Sequence, residues 1–477
     1  MRNLACKKKL YDFLPHWEPQ EIQTCRTRER YELEPCDPGT IERNVRQLLA
    51  DKVSGNLVGL WLLIPEHLRL GTWDLLLGWS RRSGQYVEPR LALQLVHEAA
   101  VCVTRLRDRR ALSQKGFELA NGLHVVASDV AVHYLLNAHT VAEAQALQIA
   151  LGKIRSTFGH FKGRLLAADP HRIRSYSKRQ ARRHQLSPAT KPAKCAQTFF
   201  LLDTETHQPI CFTLSSSSQS VTQATPELLR MGQEILRPTD GPPPLVMADS
   251  QHYAAELIDY VAHQTPFELL VPMPNQEKLI RQWKAIPEEK FVHRWAGLSI
   301  AKTLYHPVHT ERGPYYQVVQ RCGEKPDQYH YKGFLATADR DELKDLTENF
   351  PDRWHVEEFF NIHQPLGWNR AGTLNLNIRY GQMSMALLAQ AALFQLRQKL
   401  PQPQANWSAK AFARDFLKAL EGDIRVVRDT IVVTYYNAPN PQHLASHYQN
   451  LPEKLCKEGV DPRIPWLYNF KLDFRFK

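Results

Sequence analysis

The sequence predicts an α/β protein, a mixed sheet interrupted by a β-rich insertion and preceded by an all-helical domain. Three observations carry that expectation. From about residue 41 to 158, apolar residues recur at three- and four-residue spacing in Ile41–Asp51, Pro65–Trp79, Pro89–Leu106 and Val141–Ser156, the period of helices burying one face. After residue 160 the pattern changes to short apolar runs, and two of them, Arg164–Asp169 and Pro244–Asp249, end in an acid. Each reads as a buried strand with its aspartate at the C-terminal end, where α/β sheets place their chemistry. Residues 273–336 then alternate β-type residues with turns.

Composition bounds the rest. A chain of 477 residues with 43% hydrophobic and 10% aromatic residues is globular and long enough for two to four domains. A net charge of +12 and a pI near 9.2 favour a polyanionic partner. The eight cysteines are scattered with no Cys-x2-Cys pair, which argues against zinc and suits a reducing cytosol. Leu57–Trp79 is apolar, but Pro65, Glu66, His67, Arg69 and Asp74 interrupt it; it reads as packed helices, and no membrane partner is expected.

In chain order, residues 1–40 are a polar, flexible lead-in. Residues 41–158 form the helical domain, with Arg105, Arg107, Arg109, Arg110 and Lys115 clustered after one of its helices. The first part of the sheet spans 159–272. Arg164–Asp169 is its first strand, and Thr198–Asp203 and Ile210–Leu214 form a hairpin about a turn rich in Thr, His, Gln and Pro. A helix over Pro226–Leu236 precedes the strand ending at Asp249. Ser250 caps the next helix, which runs to Val261, and Phe267–Val271 supplies a fifth strand. The insertion 273–336 follows, and the sheet resumes over 337–400, with a continuous helix at Phe350–Gln364 and a long one at Asn377–Leu396. The region 401–477 holds a helix at Ala409–Leu420, a hairpin at Ile424–Tyr436 and a last strand at Trp466–Phe474. Whether it packs on the core or pairs two copies is left open by the sequence.

The chemistry concentrates on three carboxylates. A helix turns about 100° per residue, so Phe350, Arg353, Glu357 and Gln364 would fall within roughly a 60° arc. Glu357 with Arg353 alone is an ordinary surface pair. Two strand-end aspartates and a helix-borne glutamate, however, make an oxygen-only donor set suited to Mg²⁺ or Mn²⁺. Asp203 also ends an apolar run and competes with Asp169 as first acid; its place at a hairpin turn, where Asp is common, favours Asp169. Between Lys162 and Lys194 stand ten basic residues, Arg172, Arg174, Lys178, Arg179, Arg182 and Arg183 among them, with Asp169 the only acid. Cations gathered around one strand-end aspartate suit a phosphate backbone approaching it.

These residues resemble the DDE transposases of bacterial insertion sequences, in the group with the signature Tyr-x2-Arg-x3-Glu-x6-Lys. Arg353 and Glu357 match, as does the surrounding Arg-Trp-x-Val-Glu-x-Phe-Phe; Phe350 replaces the Tyr and Gln364 the Lys. The resemblance covers about residues 160–400. It implies an RNase H-like fold, which the order strand, hairpin, helix, strand, helix, strand would build. It also implies metal-dependent cleavage of DNA at the element's terminal inverted repeats and strand transfer into target DNA. Asp169, Asp249 and Glu357 would be catalytic and hold two Mg²⁺ or Mn²⁺ ions. The helical domain would read the terminal repeats, the active complex would be a homodimer, and the protein would work in the cytoplasm on the nucleoid. Arg353 would contact phosphate or orient Glu357, and Gln364 keeps a hydrogen-bond donor where the lysine's charge is lost. His252 is expected to touch substrate or donate to Asp249. Trp295, beside Arg294 in the insertion, is expected to stack on a flipped base. The insertion accords with the spacing, since Asp249 and Glu357 lie 108 residues apart and Asp169 and Asp249 only 80. Two alternatives stand beside this reading: a silent DNA-binding derivative and a nuclease that cuts without joining.

Overall fold

A computed structural model describes residues 38–80, 88–103, 111–185, 190–238, 241–369 and 372–477. The lead-in up to residue 37, the Arg105–Arg110 cluster, Arg370, Cys6, Cys25 and Cys36 lie outside the described residues. Two compact units form, and each is mixed in its secondary structure. One comprises residues 1–151, 175–180 and 361–477, the other 152–174 and 181–360.

The second unit is built on a ten-stranded mixed sheet. Its strands are β1 (Leu165–Arg174), β2 (Arg183–His184), β3 (Ala193–Asp203), β4 (Gln208–Ser216), β5 (Leu245–Ala248), β6 (Glu268–Pro272), β7 (Val292–Trp295), β8 (Leu298–Tyr305), β9 (Tyr315–Cys322) and β10 (His330–Ala336). They lie in the order β2-β3-β1-β5-β6-β10-β9-β8-β7, with β4 paired to β3. β1, β3 and β4 are antiparallel neighbours, whereas β5 runs parallel to β1 and β6 parallel to β5. The hairpin and the parallel strands fall where the apolar runs predicted. The insertion extends the same sheet: β10 pairs antiparallel with β6, and β9, β8 and β7 follow outward. Gly333 on β10 lets the buried Trp283 indole lie flat on the strand, because a Cβ there would collide with the ring.

The helix α1 (Val221–Leu236) begins five residues ahead of the predicted start. Ser220 accepts from the Gln223 N–H and Gln223 reaches back to the Ser220 N–H, a reciprocal cap that carries the helix past Pro226. α1 lies against β3 and β4, and α2 (Ala255–Gln264) against β6. The opposite face buries Leu245, Met247, Leu270, Ile300, Val318, Phe334 and Leu346, with Phe350 packed at its edge.

The first unit joins the N-terminal helices to the C-terminal region. Leu376–Gln398 is its central helix, nearly everywhere buried and capped by Asn375, and it packs against Glu88–Ala100 and Asp129–Ala138. The N-terminal segment is not wholly helical. Val53–Gly55 is a short strand on the edge of a sheet completed by Gly422–Val427, Thr430–Tyr435 and Lys471–Phe476. The last strand begins later than predicted, because Pro465–Leu467 forms a tight turn first. Glu66 is fully buried here, its charge met by Lys399 at 2.7 Å, Arg69 at 3.2 Å and the Tyr448 hydroxyl at 2.8 Å. Among the described residues, no helix is long and apolar enough to cross a membrane.

Candidate active site

The register of two parallel strands builds the site. Leu165 pairs with Leu245 and so on to Ala168 with Ala248, so the next step sets Asp169 and Asp249 side by side, about one strand spacing apart. Alternation puts both acids on the face that buries Leu245 and Met247. Asp249 follows the end of its strand, as predicted. Asp169 does not end β1: the strand runs on to Arg174 because the longer β3 keeps it paired as far as Cys195.

Burial pushes the Asp169 carboxyl up to about 7, against the pull of Arg353; the Asp249 and Glu357 carboxylates add to the push, and Arg172 opposes it. Asp249 is held the other way. Burial raises it, but the His252 hydrogen bond and charge, the Gln251 N–H and Arg353 together bring it below the ordinary carboxylate value. His252 Nδ1 lies 2.7 Å from Asp249 Oδ1, and its ring is buried. The same oxygen accepts from the Gln251 N–H at 3.0 Å. The cap at this point is therefore Asp249, not Ser250. Ser250–His252 is a separate tight turn, and α2 begins only at Ala255.

The segment expected to be one helix at Phe350–Gln364 has three parts. Phe350–Trp354 is a 3₁₀ turn opened by Pro351, His355–His363 is α-helical (α3), and Gln364–Leu366 is a second 3₁₀ turn. A 3₁₀ turn advances 120° per residue, so Arg353 and Glu357 lose the common face that a continuous α-helix would give them. Arg353 turns instead onto the sheet, with Nη1 3.2 Å from Asp169 Oδ2. Phe350 anchors that turn, its ring edge-on to Phe334. α3 buries Val356, Phe359 and Phe360. Phe359 and Phe360 rest on Phe200, which pairs opposite Asp169, and Phe360 stacks on His171 two residues along β1. Glu357 stays exposed at the rim of this packing.

Asp203 has other work. It is fully buried; Oδ2 accepts from the Lys162 and Gly163 N–H groups at 2.7 Å, and Oδ1 from the Thr206 N–H and hydroxyl at 2.9 and 3.0 Å. Of the basic stretch, Arg172 donates to Gln197 and to Gln251, linking β1 to the turn that holds Asp249. Arg174, Arg182 and Arg183 are exposed. Lys178 and Arg179 are also exposed and, like Gln364, belong to the first unit. Trp295 is half exposed on the outermost strand, and Arg294 beside it is paired to Glu342. Gln251 and His171 escaped the sequence reading; the only available signal for His171 was its i+2 spacing from Asp169.

Two adjacent, partly buried carboxylates form a hard oxygen pair that suits a divalent cation. Glu357 does not complete it: among the described residues, no three His, Cys, Asp or Glu side chains gather closely enough to hold a metal ion.

No family model and no curated protein matches the chain. Among solved structures, a cryo-EM structure of a piggyBac transposase synaptic complex with hairpin DNA is similar at a TM-score of 0.39 and 14% identity, over 87% of this chain and 79% of that one. A likeness that weak argues for neither a family nor a chemistry.

Proposed function

We propose that this chain is a DDE-type DNA transposase on an RNase H-like sheet, cutting double-stranded DNA at the ends of its element and joining them to a target. One observation carries the reading: Asp169 and Asp249 stand side by side on adjacent parallel strands, with Arg353 on Asp169. The strand order supports it, since an antiparallel hairpin flanking a parallel trio, with helices between the later strands, is the arrangement expected of that sheet. The basic stretch adds to it, because β1 carries Asp169 and runs directly into Arg172 and Arg174.

In this reading His252 and the Gln251 N–H aim Asp249, and the exposed arginines draw the phosphate backbone toward the two acids. Divalent ions (Mg²⁺ or Mn²⁺, two of them) held by Asp169 and Asp249, with Glu357 brought in from the rim, would supply activation of the attacking oxygen and stabilisation of the leaving one. Two copies would bring the element's ends together on the nucleoid. The exposure of Glu357 favours one second reading, a silent DNA-binding derivative.

The test incubates the protein with labelled end DNA, a target plasmid and Mg²⁺. Joined product is expected, and it should vanish in Asp169→Ala, Asp249→Ala and Glu357→Ala while end binding persists. Cut product alone would mark a nuclease, and a shift without cutting would mark the silent derivative.

A further inference from the structure

Arg353 and Asp169 are both largely buried, at 13% and 12% side-chain exposure, and they meet through one arm of the guanidinium at 3.2 Å. An arginine in a tightly fixed pair frequently makes a two-armed fork. Arg321 does this in the same unit, gripping both oxygens of Glu288 between the rings of Phe291 and Tyr329. Arg353 does not. Its second arm makes no bond to Asp169, and its Nε–H is buried without a partner. The guanidinium rests instead over Phe350 and Trp354 of its own turn, at 5.9 and 5.5 Å. A loosely held cation on one of two adjacent carboxylates resembles a placeholder more than a brace.

We propose that Arg353 is an internal counter-ion which occupies the cation position on Asp169 and gives it up to a divalent metal ion, so that metal binding must displace the arginine. The proposal rests on the metal-dependent reading above and deepens it by naming the contact that opposes loading. Phe350, packed on Phe334, fixes the base of the turn while the arginine swings, and the freed guanidinium is left beside the site to meet a DNA phosphate. Arg353 is thus a positioning residue, and no ligand of the metal.

The experiment is Mn²⁺ titration of the whole protein, by calorimetry, without DNA. Arg353→Gln should bind Mn²⁺ about tenfold more tightly than wild type, because no charged pair has to be broken first. Arg172→Gln is the control for a nearby cation that does not touch Asp169: it loses its bonds to Gln197 and Gln251 along with its charge, and should still change the affinity far less. Equal gains in the two variants, or no gain in Arg353→Gln, overturn the proposal while leaving the metal site standing. If wild type and Arg353→Gln both bind no better than Asp169→Asn, the metal-dependent reading itself fails. Should Arg353→Gln not fold, wild type still decides. Mn²⁺ should shift a fluorescence signal that Trp354→Phe lacks, since the guanidinium leaves that ring's neighbourhood, and saturable Mn²⁺ binding without such a signal overturns the exchange.

Discussion

Replacing Asp203 with alanine separates the two aspartates that compete for the role of first acid. In the folded chain the Asp203 carboxylate accepts four hydrogen bonds, three of them from backbone N–H groups of Lys162, Gly163 and Thr206. A hydrogen bond to a charged group contributes about 1.5–3 kcal/mol, and a buried donor left unpaired costs about 1–3 kcal/mol. The four share one carboxylate and do not add independently, and Lys162 lies where water reaches it. The expected loss for Asp203→Ala is therefore roughly 3–5 kcal/mol, near the upper end for a single substitution. Asp169→Ala should behave differently. Its surroundings resist its charge, as the carboxyl held up at about 7 shows, so losing the acid relieves a penalty that partly offsets leaving the Arg353 guanidinium unpaired, and the expected loss is smaller, roughly 1–2 kcal/mol. Urea unfolding followed by circular dichroism measures both as shifts in midpoint at unchanged slope. A wild-type midpoint in Asp203→Ala, together with abolished DNA cleavage, would refute the assignment.

Two further outcomes follow from the same physics. His67 and His97 are fully buried with rings 5.1 Å apart; burial lowers His97 to about 4, and burial together with the nearby His97 takes His67 well below its usual value. Both therefore stay neutral in the folded chain while the unfolded chain takes up protons below about pH 6.5, so their contribution is complete above that pH and lost as pH falls toward 4. His97 alone should remove about 2 kcal/mol of stability by pH 5, read as a urea midpoint that falls between pH 7.5 and 5 and falls less in His97→Gln. On DNA, affinity should drop steeply with salt, and Arg182→Gln and Arg183→Gln should each reduce the slope of log affinity against log salt by about one, equally for any sequence; a flat profile would remove the basic stretch from the DNA track.

Short continuous apolar runs made the aspartate pair legible. An apolar run ending in an acid marks where a strand leaves the core, and two such runs in neighbouring parallel strands place their acids level. The hairpin was legible for the same local reason. The phase of the helix bearing Glu357 was not. One proline, Pro351, leads Phe350–Trp354 into a 3₁₀ turn, and those few residues are enough to carry Arg353 away from Glu357 and onto Asp169. Nor could any local signal show that Val53–Gly55 pairs with Gly422–Ile424, because a three-residue strand has too little pattern to announce a partner more than 360 residues away.

Phe350 stands where the signature that this stretch resembles has a tyrosine, and its surroundings suit the apolar ring. Its ring is partly buried against Phe334 at the edge of the apolar face shared by Leu245, Met247 and Leu346, with the Lys332 ammonium 5.9 Å above it. A hydroxyl on a ring so placed needs a partner wherever it points into that cluster, and an apolar ring avoids the desolvation cost. At this position Phe350 serves as an anchor for the turn. An anchor is what the Arg353 contact requires, since a guanidinium can reach Asp169, or leave it, along a defined path only if the backbone beneath it stays fixed.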